Sequence, residues 1–203
     1  MKEKIIIFDF DGVIVDSFDV AFEVNKLARP TITRERYQAK FNGNIANATH
    51  EDEKTREIDF FYEYGERFKK LDIDQDIKDS LIKLSKEHKL FIVSSTTNPI
   101  IEEYLTRHGL LELFTEILGF DIETSKVKKF HMIFDKYNIS PDKTIFLTDT
   151  SGDIDEARES KINFIVGILG GYQNEENLKN AKPNAIVKDF NTFFNLIQKN
   201  KQK

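Results

Sequence analysis

The chain has 203 residues, 39% of them hydrophobic and 32% charged, with a net charge of −5 and no cysteine. That length buries a substantial core, the acidic totals imply no basic face for nucleic acid while leaving local clusters open, and the missing thiols exclude disulfides and thiolate metal sites. No apolar stretch is long enough for a signal peptide or a membrane span, so the expectation is a cytoplasmic protein with no membrane partner.

The first element is a strand over Lys4–Asp9. Its four consecutive apolar residues, Ile5, Ile6, Ile7 and Phe8, suit a strand buried on both faces, and Gly12 supplies the turn that ends it. The carboxyl end of that strand therefore presents Asp9 and Asp11, at the edge of a parallel sheet where ligands bind. Two acids so close need a cation or a shared proton in a partly dry site. Magnesium suits them, because it takes one or two carboxylates together with waters and a substrate phosphate. One Asp can then attack while the other moves a proton. An Asp-Gly pair that only shapes a turn is the plainer alternative.

The run Asp9-Phe10-Asp11-Gly12-Val13-Ile14-Val15-Asp16-Ser17 resembles the first motif of the haloacid dehalogenase superfamily, in its phosphoglycolate phosphatase and β-phosphoglucomutase branch. The resemblance implies an aspartyl-phosphate mechanism in which Asp9 attacks phosphorus. Asp11 would protonate the leaving group and then activate water. It also implies that Asp9, the backbone carbonyl of Asp11 and Asp149 hold magnesium, and that a helical cap follows the first motif.

Residues 16–77 fit such a cap. No strand alternation stands out there, whereas Phe18, Phe22, Leu27 and the stretch Ile58 to Phe68 follow helical spacing. Packing is the preferred role for the aromatic group Phe60, Phe61, Tyr62, Tyr64 and Phe68, with substrate contact as the alternative. Arg34, Arg36, Lys40 and the loop Asn42-Gly43-Asn44 are candidates for an anionic substrate tail. Most of the chain's acidic excess lies in this stretch.

The core resumes at Lys78. A strand over Lys89–Val93 ends in Ser94, Ser95, Thr96, Thr97 and Asn98, small hydroxyl residues that suit a phosphate. Ser94 matches the family's second motif by position, as a phosphate ligand. Asn98 before Pro99 reads as the N-cap of a helix over Pro99–His108 that ends at Gly109.

The segment Thr124 to Phe130 precedes an amphipathic helix carrying Val127, Phe130, Ile133, Phe134 and Tyr137. Lys126 is the best match to the family's phosphate-binding lysine, with Lys128 the weaker choice, since Val127 stands where this branch usually has proline. Lys129 is expected on the solvated surface. A strand over Thr144–Leu147 then leads into Thr148-Asp149-Thr150-Ser151-Gly152-Asp153. Its Asp-x-x-x-Asp spacing resembles the family's acidic motif, with Asp149 on the metal and Asp153 supporting the metal site or orienting the lysine. Simple capping of the helix over Gly152–Ser160 is the alternative. Strands at Phe164–Ile168 and Ala185–Val187 and a helix over Asp189–Asn200 complete the pattern. The segment Gly167 to Tyr172 reads as a structural turn, because it lacks a phosphate-binding lysine and a Gly-x-Gly-x-x-Gly pattern. His50, His88, His108 and His131 have no metal-ligand spacing, and the tail Lys199 to Lys203 reads as a frayed terminus.

Alternating strands and helices predict an α/β fold, a Rossmann-like parallel sheet with helices on both faces. Residues 1–15 and 78–203 would form it, with 16–77 as a small helical cap. The resulting expectation is a magnesium-dependent phosphatase acting on a small phosphorylated metabolite, as monomer or homodimer. A phosphosugar mutase of the β-phosphoglucomutase type and a non-catalytic phosphometabolite-binding protein on the same fold are the alternatives.

Overall fold

A computed structural model describes residues 4–48 and 56–199. The expectations for Met1 to Glu3, His50 and residues 200–203 lie outside them. β1 (Ile5–Phe8) is buried throughout and pairs in parallel with β2 (Lys89–Val93) on one side and β4 (Thr144–Thr148) on the other. With β3 (Phe114–Leu118), β5 (Phe164–Ile168) and β6 (Ala185–Val187) the parallel sheet has the order β3-β2-β1-β4-β5-β6. The order reverses at β1, so the crevice of such a sheet opens at the carboxyl end of that strand.

Successive strand residues point to opposite faces, and each face finds its own helices. Ile6, Phe8, Leu90 and Ile92 pack with Leu81 and Leu84 of α4 (Gln75–Ser85), Ile101 and Leu105 of α5 (Asn98–Arg107) and Phe193 and Ile197 of α9 (Phe190–Lys199). Ile5, Ile7, Phe91 and Phe146 pack on the other side with Phe130 and Ile133 of α6 (Lys126–Tyr137), Ile154 of α7 (Ser151–Glu159) and Leu178 of α8 (Glu175–Ala181). The apolar runs of the sequence are thus a requirement of two covered faces.

Between β1 and α4 lie α1 (Phe18–Ala28), α2 (Arg34–Ala39), two single 3-10 turns and α3 (Phe60–Phe68). Thr33 starts α2 by accepting the Arg36 N–H. Residue 77, the expected end of the cap, falls inside α4, whose buried Leu81 and Leu84 face the sheet. Aromatic rings join the insertion to the core: Phe68 stacks on Phe10 at 5.7 Å, and Phe41 meets Tyr172 edge-on at 4.8 Å.

Two local expectations are corrected. β3 was not anticipated, because an edge strand needs few apolar residues and Thr115 and Glu116 break its run. Asn98 does not cap α5. Its Oδ1 accepts the Gly119 N–H at 2.6 Å and its Nδ2 donates to the Ile117 carbonyl at 3.1 Å, tying the end of β3 to the loop after β2.

The insertion also rests on α7 through bare backbone. A Cβ on Gly152 would lie 2.4 Å from the Gly43 carbonyl oxygen. Gly152→Ala should therefore push the Gly43 loop away and cost about 1–3 kcal/mol. Urea unfolding checks this, with the midpoint lowered and the slope unchanged.

Candidate active site

Asp9 and Asp11 leave β1 at its carboxyl end, as the sequence predicts. The Asp9 N–H still donates to Leu147 at 2.9 Å, while its carboxylate turns back to accept the Phe10 N–H at 2.7 Å. Gly12 then takes a left-handed φ of 72°, a conformation that favours glycine. Asp149, which follows β4, occupies the space this glycine leaves: a Cβ on Gly12 would sit 2.0 Å from its Oδ2, and one on Gly171 would sit 2.2 Å from the same atom.

Lys126, the first residue of α6, is 2% exposed. Its Nζ lies 2.9 Å from Asp9 Oδ2 and 2.6 Å from Asp153 Oδ2. Thr148 adds a hydroxyl hydrogen bond to Asp153 Oδ2 at 2.8 Å. Glu156 of α7 accepts both the Lys126 N–H and the Asn44 amide at 3.0 Å, which fixes the start of α6 against α7 and the insertion. Lys128 instead pairs with Glu123 on the surface, its side chain 69% exposed.

Asp11 is held by three hydroxyls. Ser17 donates to Oδ1 and Thr96 to Oδ2, each at 2.7 Å, and Tyr64 of α3 also donates to Oδ1. The Tyr172 hydroxyl hydrogen-bonds Ser17 at 3.1 Å. Ser94 is fully buried beneath this group, where its Oγ accepts the Thr96 N–H at 3.0 Å. Ser95 and Thr96 are the residues of that strand end that line the cavity.

Three buried carboxylates thus share one ammonium. Burial works against ionised Asp153, but the Lys126 ammonium and hydrogen bonds from its neighbours hold its carboxyl below the usual range. Burial pushes Asp9 up against the pull of Lys126, with repulsion from Asp153 and Asp149 adding to it. Burial likewise pushes Asp149 up to about 7, against the hydrogen bond from the Tyr172 N–H. The Oδ1 of Asp149 is buried with no hydrogen-bond partner among the described residues. Excess negative charge and an orphaned hard oxygen beside Asp9 fit a magnesium ion. Among the described residues no three acidic or imidazole side chains form a ready-made cage, and magnesium does not require one, since it keeps several waters.

Three readings change. Lys129 is buried, not solvated, and its Nζ donates to the Ser94 carbonyl at 2.5 Å. Positions 126, 129, 130 and 133 share one face of α6, so helical spacing carried that signal. The segment ending at Tyr172 is more than a turn, because the Tyr172 N–H binds Asp149 Oδ2 at 2.6 Å and its ring lines the cavity. Of the α3 aromatics, Phe60 and Tyr64 line the cavity while Tyr62 is exposed. Arg34 pairs with Asp19 at 2.6 Å. Asn42 and Asn44 bind Gln173 and Glu156 across the junction with the core.

The sequence model of the family described as haloacid dehalogenase-like hydrolase matches residues 6–167. The phosphoglycolate phosphatase of Vibrio cholerae is 24% identical over 222 residues, covering 96% of each chain. That of Aliivibrio fischeri is 23% identical over 92% of this chain and 93% of its own. Among solved structures, a predicted phosphoglycolate phosphatase from Haemophilus somnus aligns with a TM-score of 0.77 at 24% identity, covering 97% of this chain and 99% of that one. CbbY from Rhodobacter sphaeroides in complex with phosphate aligns with a TM-score of 0.76 at 16% identity, over 93% and 95% of the two chains. Among the described residues no helix is long and apolar enough to cross a membrane.

Lys126→Met leaves two buried carboxylates without their cation and should cost about 3–5 kcal/mol at pH 7. Carboxyls whose pKa is higher in the folded than in the unfolded chain bind protons preferentially when folded. The variant should therefore regain stability as pH falls toward 5, which urea unfolding at the two pH values measures. Burial and the nearby Lys126 lower Lys129 from 10.5 to about 8. Between those values the unfolded chain holds more protons, so wild type should gain stability with rising pH relative to Lys129→Met. The gain is on the order of 3 kcal/mol across the window, and a flat difference would show that this ammonium is not desolvated.

Proposed function

The chain belongs to the haloacid dehalogenase-like hydrolase family, and from that premise we propose that it is a magnesium-dependent phosphatase acting on a small phosphomonoester through an aspartyl-phosphate. The observation that carries this reading is the convergence of Asp9, Asp11, Lys126, Asp149 and Asp153 on one cavity at the carboxyl end of the central strand. Phosphatase relatives aligning over nearly the whole chain support it. The predicted site residues keep their roles in this proposal except Ser94, which is buried outside the cavity lining.

Asp9 attacks phosphorus and the ester oxygen leaves with a proton from Asp11. Asp11 then accepts a proton from the water that attacks the aspartyl-phosphate, releasing phosphate and restoring Asp9. When Asp11 gains its proton, the hydroxyl facing the protonated oxygen, Ser17 or Thr96, can turn from donor to acceptor while the other keeps donating, so the same contacts orient both of its states. Lys126 places positive charge beside the nucleophile, and Asp153 keeps that ammonium in place. Ser94, buried beneath the cavity, accepts the Thr96 N–H and so shapes the strand end, where the hydroxyl of Ser95, which lines the cavity, is offered to a phosphoryl oxygen. Asp9, the Asp11 carbonyl and Asp149 would hold magnesium, which supplies charge neutralisation for the phosphoryl oxygens.

Acceleration of phosphate-monoester hydrolysis approaching ~10²¹ corresponds to roughly 28 kcal/mol, beyond any single contact, so positioning, nucleophile and electrostatics must act together. Phosphate release from a phosphomonoester panel should require magnesium, stop with EDTA and fall below detection in Asp9→Asn, with the fold retained. Asp11→Asn should lower turnover by about 10²–10⁴. Transfer of the phosphoryl group to a second sugar hydroxyl without phosphate release would mark a mutase instead, and retained turnover in Asp9→Asn would remove Asp9 as nucleophile.

A further inference from the structure

The cavity above Asp9 is small, about 100 Å³, and its two sides differ in kind. On the sheet side stand Asp9, Asp11, Asp149, Asp153 and Lys126. The opposite wall is aromatic: Tyr37, Phe41, Phe60 and Tyr64 from the insertion meet Tyr172 from the core. These rings brace one another. Phe60 stacks on Tyr64 at 5.5 Å, Tyr37 meets Phe41 at 5.3 Å, and Phe41 meets Tyr172 at 4.8 Å. A wall built this way keeps its shape and offers hydrocarbon edges and faces to whatever enters.

The charges limit what that can be. Among the described lining residues Lys126 is the one cation beside four carboxylates, and its ammonium already serves Asp9 and Asp153. The two charges of a divalent ion match those of a phosphate. A further anionic group on the leaving side would then meet Asp11 and rings, with no opposite charge left over among the described lining residues, in a site too dry to screen it. The insertion's Arg34 is turned outward, paired with Asp19 and lying over the rings of Phe18 and Phe22. Of the wall's hydroxyls, those of Tyr64 and Tyr172 are engaged with Asp11 and Ser17, whereas no hydrogen bond joins the buried Tyr37 hydroxyl to another described residue. It is left to serve an oxygen of the leaving group, as is the hydroxyl of Ser95, which also lines the cavity.

We infer that the leaving group is a compact, uncharged alcohol with a hydrocarbon face, carrying neither a carboxylate nor a second phosphate. This inference rests on the phosphatase reading above. It separates this chain from what the names of its phosphoglycolate phosphatase relatives suggest.

An isosteric pair tests it: 2-phosphoglycolate, with its carboxylate, against phosphoglycolamide, with a neutral amide of the same size. With magnesium, kcat/KM for the amide should exceed that for the carboxylate by about tenfold or more, a range that pocket contacts reach. In Phe60→Lys, which places an ammonium in the aromatic wall, that ratio should narrow or invert. Equal or faster turnover of the carboxylate by wild type overturns the inference. Acetyl phosphate, a small activated phosphoryl donor, reports on the chemistry separately. Its magnesium-dependent hydrolysis, lost in Asp9→Asn, keeps the phosphatase reading standing whichever ester is preferred. Failure on acetyl phosphate and on both esters overturns that reading and the inference with it.

Discussion

The Lys126 ammonium lies between Asp9 and Asp153, and the carboxyl edge of the sheet is organised around that contact. β1 and β4 are neighbours, so their strand ends deliver Asp9 and Asp149 side by side, with Asp153 one helical turn later. Such an acidic edge is stable only with positive charge inside it. Lys126 arrives from a different crossover, the start of α6. That start is aligned by Glu156, which accepts its backbone N–H from α7. A cation supplied by one helix and aimed by the next joins the two crossovers at the point where chemistry is proposed.

The insertion is part of the same arrangement. Tyr64 brings a hydroxyl to Asp11, Asn44 binds the Glu156 that aligns Lys126, and Gly43 lies against the first turn of α7. The insertion thus does more than line one wall of the cavity, since its Tyr64 contacts an acid at the cavity floor. Tyr172 does the reverse from the core side, with its backbone on Asp149 and its ring in the aromatic wall.

Much of this was legible in the sequence, and the exceptions share a cause. The strands β1, β2, β4 and β5 announce themselves because burial on both faces leaves continuous apolar runs, and the edge strand β6 is short but wholly apolar. β3 lies at an edge, covered less, and Glu116 disguises it. Asp9, Asp11, Lys126, Asp149 and Asp153 stood out because charged residues at strand ends and helix starts are conspicuous. Lys129 was misplaced when its charge outweighed its position on the α6 stripe. Tyr64 and Tyr172 act at the site through hydroxyl and backbone groups brought from far along the chain, and no local spacing marks a residue of that kind. Asn98 lost its capping role to contacts with β3 that only the folded sheet creates.

Gly12, Asp149 and Gly171 come from three separate loops, yet they form one object: a slot with hydrogen atoms for walls and a carboxylate for contents. A slot measures what it holds. A methyl group on either wall would occupy the place of the Asp149 oxygen, and a side chain one methylene longer at 149 would carry its carboxylate beyond the Tyr172 N–H that now receives it. The three positions are therefore a single unit of variation. A side chain at either glycine can enter only if the one at 149 gives up that space, however far apart the positions stand in the chain.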